Sequence, residues 1–220
     1  MTYGSASVIH TADILAAAGP GIGAFSYHHY GAASQRCAGI GMPQTTAQDA
    51  LSEDWLGRTS RTRVYYGGLR DHYEPGKPLW VTEVADAACG GNPWAATFLD
   101  SFRYVDQLGR LAQEGVQVVA HNTLAASDYG LLDETDYTPK PNYWAALLWH
   151  RLMGSTVLDS GVPIQQGLHV YAHCQRGAPG GLSLLAINND PASARRLTLP
   201  TSAQRYTLDA DRMQALKILS

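Results

Sequence analysis

The sequence is short of charge, and the little it has is nearly balanced. Charged residues make up 16% of 220, Lys and Arg number 16 against 19 Asp and Glu, and the formal net charge is −3. No basic excess is present to neutralise a phosphate backbone, so nucleic acid is not an expected partner. Nowhere do apolar residues run to the roughly 18 that suggest a membrane-spanning helix. The first 19 residues have no basic n-region and only a short apolar run, so neither a signal peptide nor a membrane span is expected there. Cys37, Cys89 and Cys174 form an odd set at wide spacing with no C-x-x-C, which supports neither a disulfide framework nor a zinc ribbon. The G-x-S-x-G elbow, the Walker loop and S-x-x-K are all missing, which leaves serine-hydrolase and P-loop chemistry without a foothold.

What is there can build a core. At 45% hydrophobic the chain can offset its ordering entropy, and 22 Gly with 12 Tyr point to a loop-rich protein whose aromatic surfaces suit sugars. Residues 12–18 read as a helix end stopped by Gly19-Pro20. Residues 22–30 read as a short buried strand whose polar side chains, Tyr27-His28-His29-Tyr30, gather at its C-terminal end. Thr45-Thr46 offers an N-cap for one long amphipathic helix to about Tyr73, and residues 78–83 form a second strand. Then come a Gly90-Gly91-Asn92-Pro93 loop, a helix over 94–113, a strand over 116–120 ending at His121-Asn122, and a helix over 142–153. This alternation predicts a parallel α/β fold with strands covered on both faces. From about Ser155, β-rich runs at 168–174, 182–188, 195–199 and 205–208 predict a small antiparallel β domain.

Only five glutamates occur. Glu53, Glu74, Glu114 and Glu134 have ordinary solvated readings at helix faces, helix ends and a turn. Glu83 differs, because it ends a buried parallel strand and opens a glycine-rich loop, where catalytic residues of α/β folds concentrate; an edge carboxylate capping a loop is the alternative. Three strand ends thus present His28/His29, Glu83 and His121/Asn122 on one face. His and Glu are also metal ligands, but no H-E-x-x-H or helical H-x-x-x-H is found, and His169 and His173 read as surface or core histidines sharing a strand face. Gly19 to Ala24 spells G-x-G-x-x-A, yet a helix precedes it and a strand follows, the reverse of a dinucleotide site. No metal or cofactor is expected.

Leu79-Trp80-Val81-Thr82-Glu83 with Gly90-Gly91-Asn92-Pro93, the earlier Tyr27-His28-His29-Tyr30, and Asp128-Tyr129-Gly130-Leu131-Leu132-Asp133-Glu134 running on to Pro141-Asn142-Tyr143-Trp144 resemble glycoside hydrolase family 79, the heparanase and β-glucuronidase family. Gly154 to Leu158 and His169 to Cys174 are similar to the opening of that family's C-terminal β-sandwich. The resemblance implies a retaining glycosidase on a (β/α)8 TIM barrel with an attached β-sandwich, acting on uronic-acid-containing glycans in an extracellular, periplasmic or lysosome-like compartment. It makes Glu83 the nucleophile, gives the sugar carboxylate to backbone N–H groups of Gly90 and Gly91 together with Tyr129, and lines the cleft with His28, Tyr30 and Asn122.

A retaining enzyme needs a second carboxyl group as acid and base, which in this family follows an Asn, and no Asn-Glu dipeptide occurs in the chain. Three parallel strands are also fewer than the eight of a barrel. Residues 1–154 are therefore expected to be a partial barrel, about strands six to eight, and 155–220 a β-sandwich, with the N-terminal barrel half expected upstream or on another chain. The isolated chain is expected to be inactive. A non-catalytic carbohydrate-binding or scaffold protein derived from the same fold is the alternative.

Overall fold

A computed structural model of the chain describes residues 10–41 and 43–218. The reading of residues 1–9 as free of a leader lies outside the described residues. Helix α1 (Thr11–Ala18) stops at Gly19, whose φ of 68° and following Pro end the turn. Strand β1 (Phe25–Tyr30) follows, then a 3₁₀ segment (Gln35–Ile40). The long helix expected from Thr45 is shorter and divided: residues 46–52 turn, and Ser52 caps α2 (Glu53–Leu56) by accepting from the Trp55 N–H, with Glu53 and Asp54 favourable in its first turn. Gly57 separates α2 from α3 (Arg58–Tyr73), which ends before Pro75.

Strand β2 (Leu79–Ala85), helix α4 (Phe98–Gln113) and strand β3 (Val118–His121) come next, then α5 (Pro141–Leu152), which begins on a Pro whose missing N–H costs nothing at that position. The first three strands make one parallel sheet in the order β1-β2-β3. Its register contains an irregularity that decides the chemistry. Tyr27 pairs with Val81, but the next residue, His28, pairs with Glu83, so Thr82 is an extra residue in β2. Without this bulge, alternation of the same residues would put Glu83 on the face of Leu79 and Val81, under the helices. With it, Glu83 turns to the face that carries His28 and Tyr30.

Coverage of both sheet faces is not observed. Phe25, Tyr27, Leu79, Val81 and Val84 pack with Leu111 and Val116 on the helix side, whereas Trp80 and Val118 on the other face are 37% and 40% exposed. Helices α1, α3 and α4 all sit on one side, which is the physical reason.

A second, antiparallel sheet has the order β4-β5-β6, from β4 (Met153–Leu158), β5 (Leu168–Gln175) and β6 (Leu182–Asn188). Strand β4 grows directly out of α5. The runs at 195–199 and 205–208 are not strands: they have no ladder partner among the described residues, and Leu197, Leu199 and Tyr206 are exposed. Helix α4 joins the two sheets. Its Tyr104 and Val105 pack with Ala145, Met153, Tyr171 and Ile187, and Gly109 lets the Tyr171 ring lie flat on its backbone, since a Cβ there would fall inside the ring.

The solvated reading of three glutamates is also corrected. Glu74 is 3% exposed and accepts the Gly21 and Ile22 N–H groups, Glu53 bonds His169 and Arg110, and Glu114 faces Arg63. Each is drawn in by a partner distant in sequence. Glu134 is exposed as expected.

Candidate active site

The ends of β1, β2 and β3 meet, and four of the expected side chains form one hydrogen-bonded chain. Tyr30 donates its hydroxyl to Glu83 Oε1 at 2.5 Å, and Asn122 Nδ2 donates to Tyr30 Oη at 2.7 Å and to Tyr129 Oη at 3.3 Å. Burial, with the Glu83 hydrogen bond and charge, raises the Tyr30 pKa, so the phenol stays protonated and remains a donor. His28 Nδ1 lies 3.6 Å from Glu83 Oε2. The Glu83 side chain is 38% exposed, so the carboxylate is fixed from within and reachable from without.

Two neighbouring histidines support this cluster without joining it. His29 is buried beneath the sheet, where burial and then the Arg103 and Arg58 charges push it down to about 3. His121 is lowered to about 4 by burial, and its Nε2–H donates to the Tyr129 carbonyl at 2.8 Å. Both rings are neutral near pH 7, and His121 positions Tyr129 through the backbone.

The glycine loop closes one side. Gly91 has φ 86°, and a Cβ there would meet Tyr129 Cδ1 at 2.9 Å and Ala95 Cβ at 3.0 Å, so only Gly lets the backbone approach the Tyr129 ring. Ser34 Oγ–H holds the Gly91 carbonyl at 2.6 Å. The Arg36 guanidinium lies over Gly90 and pairs with Asp128, next to Tyr129. Thus Glu83, Tyr30, Asn122, Tyr129 and Gly91 come together, His28 and Gly90 lie at the rim, and among the described residues no group of His, Cys, Asp and Glu could hold a metal.

Several curated proteins are similar to this chain. Heparanase-like protein 1 of Arabidopsis thaliana is 37% identical over 151 residues, covering 68% of this chain and 28% of that protein. Baicalin-β-D-glucuronidase of Scutellaria baicalensis is 36% identical over 64% of this chain and 27% of its own length, and heparanase of Mus musculus 34% over 80% and 33%. Its relatives are the heparanase-like family 79 glycosidases. The chain spans about a third of the length of these relatives. No protein-family model matches it. Among solved structures, a GH51 arabinofuranosidase from Xanthomonas axonopodis pv. citri superposes with TM-score 0.55 over 78% of this chain and 39% of its own. A 4-O-α-L-rhamnosyl-β-D-glucuronidase from Fusarium oxysporum 12S gives 0.50 over 79% and 35%. Both are 14% identical to this chain, a likeness of fold alone.

Beside the site the chain holds features its sequence did not reveal. Cys37 and Cys89 form a disulfide with Cα atoms 6.3 Å apart, contrary to the cysteine spacing argument, and Cys174 is free and exposed. The pair is invisible at 52 residues' separation because it forms only where the loops after β1 and β2 meet. Replacing both by Ser should lower the unfolding free energy by about 2–4 kcal/mol, read from the urea midpoint. An unchanged midpoint would show that the bond constrains nothing.

Asp86, three residues after Glu83, was also missed. It is fully buried, and its Oδ2 accepts the Asn92 N–H at 2.9 Å. The nearby Asp100 is buried as well, but Arg103 grips it through Nε at 2.6 Å and Nη2 at 3.2 Å, with Asn142 and the Ala96 N–H adding donors. Although burial opposes it, this set holds Asp100 below the usual carboxylate range.

Proposed function

We propose that the chain carries the nucleophile side of a retaining glycoside hydrolase of the heparanase and β-glucuronidase type, acting on a uronic-acid-containing glycan or glucuronide. The observation that carries this reading is the Glu83 carboxylate, open to solvent and held by Tyr30 where three parallel strands end. In such an enzyme Glu83 attacks the anomeric carbon, and the glycosidic oxygen leaves with a proton from a second carboxyl group. Water, deprotonated by that same group, then cleaves the glycosyl-enzyme ester. Tyr30 engages Oε1, so Oε2 is the attacking oxygen. The N–H groups of Gly90 and Gly91 with Tyr129 take the sugar carboxylate, and His28, Tyr30 and Asn122 line the cleft. Backbone donors suit an anion because they bring no countercharge to desolvate.

The second carboxylate, about 5–5.5 Å from the first in a retaining enzyme, is read as coming from a barrel segment outside these residues or from another chain. Residues 1–154 are then part of a (β/α)8 barrel and 155–220 a β-sandwich. The exposed Trp80 and Val118 support this, since they line the face that a closed barrel fills with side chains. The disulfide suits an oxidising compartment. Lack of an Asn-Glu dipeptide favours one other reading, a carbohydrate-binding or scaffold protein that binds sugar without turnover.

A mechanism-based β-glucuronide trap, applied to protein made from the full coding sequence, is expected to leave its mass on the peptide containing Glu83. Label on any other peptide refutes the nucleophile, and no label with intact sugar binding supports the scaffold reading. Tyr30→Phe should lower kcat by roughly 10²-fold, as loss of one preorganised donor does, with little change in melting temperature. A kcat within a factor of about two of wild type would remove Tyr30 from the mechanism.

A further inference from the structure

We propose that Asp86 is a positioning residue that acts as an uncharged acid beneath the glycine loop, so that the loop accepts a uronate while Asp86 is neutral and disfavours it once Asp86 ionises. This rests on the reading of Gly90 and Gly91 as the cradle of the sugar carboxylate.

The geometry is specific. Asp86 Oδ2 accepts the N–H of Asn92, the residue after the two glycines. Its Oδ1 is buried without a hydrogen-bond partner and points under the loop, 3.2 Å from where a Cβ of Gly91 would stand. A carboxylate charge there would lie directly behind the backbone donors offered to an anion. Counting charges from each surrounding element shows why Asp86 is the member that gives up its charge. Helix α4 contributes Asp100 and Arg103, and that one guanidinium is committed to Asp100 through two nitrogens. Strand β1 contributes His29, a neutral ring, across a cavity of about 10 Å³, the size of one water. Tyr129 packs on Gly91, and the Arg36–Asp128 pair lies outside the loop. Among the described residues no cation is hydrogen-bonded to Asp86. Burial, then the Asp100 charge, pushes it up to about 7, against the smaller pull of Arg103 and two backbone N–H groups.

The test uses protein from the full coding sequence carrying Glu83→Gln, which blocks turnover. Affinity for an aryl β-D-glucuronide and for the matching neutral β-D-glucoside is measured by calorimetry from about pH 5.5 to 8.5. Glucuronide binding should weaken roughly tenfold across this range, the glucoside should hold constant, and adding Asp86→Asn should flatten the glucuronide curve. If that variant does not fold, Asp86→Ser keeps a donor and acceptor and serves in its place. His28 Nδ1 lies 3.6 Å from Glu83, so His28→Gln is run in parallel. A pH effect that survives at Asp86 but disappears with His28 overturns the proposal. So does a glucuronide preference that is independent of pH, which leaves the loop reading intact. Equal affinity for glucuronide and glucoside at low pH overturns the loop reading and the Asp86 proposal together.

Discussion

Glu83→Gln should reduce kcat by on the order of 10⁴-fold or more, the scale on which loss of a covalent nucleophile acts, while KM changes little. The amide is nearly isosteric and its oxygen can still accept from Tyr30, so the chain of Tyr30, Asn122 and Tyr129 stays connected. On the proposed mechanism, what disappears is the charge that attacks the anomeric carbon. Steady-state kinetics of protein from the full coding sequence on an aryl β-glucuronide, with thermal melting to confirm the fold, read the two effects separately. A loss below about tenfold would mean that another group attacks.

The second large effect lies away from the site, where α4 meets the antiparallel sheet. Asp106 is fully buried and accepts from Arg110 Nε, the Tyr171 hydroxyl and His169 Nδ1, while His169 Nε2 reaches Glu53. Asp106→Ala would leave Arg110 and His169 short of an anion in a dry interior, and breaking such a pair from one side costs about 3–5 kcal/mol. Chemical denaturation measures it, and a change under about 1 kcal/mol would show that water fills the gap. The same cluster sets a pH dependence. Burial works to lower the His169 pKa, but the hydrogen bond and charge of Asp106, with the Glu53 charge, outweigh it and the net shift is upward. A pKa raised on folding stabilises the protein fully below the unfolded value of about 6.5, and that stability is lost as pH climbs through the folded value. Stability should therefore fall as pH rises past about 6.5, and His169→Gln should remove that slope.

These two clusters mark what sequence can and cannot convey. The three parallel strands were legible because Gly and Pro bracket short apolar runs, and Glu83 because it is the one glutamate ending such a run. Strand ends lying on one edge made the approach of His28 and Asn122 to it legible, whereas Tyr129, in a loop, was indicated only by the family resemblance. Local signals failed where partners are remote. Glu53 looked solvated until His169, 116 residues on, took up its Oε1. Cys37 and Cys89 are joined by loop geometry rather than spacing. Apolar alternation at 195–199 and 205–208 suggested strands, but a strand needs a neighbour to complete its backbone hydrogen bonds, and none lies there among the described residues.

The extra residue at Thr82 has an evolutionary reach beyond its effect on register. In most proteins a catalytic group is lost by substitution, and counting retained residues is a fair guide to retained chemistry. Here a descendant that kept every residue but paired this strand without the bulge would still send its carboxylate into the helix layer, whereas one that dropped the Thr82 codon would pair Glu83 with His28 as before. The heritable quantity is the pairing of Glu83 with His28, so a gap in an alignment at Thr82 says less about activity than a change that alters this pairing.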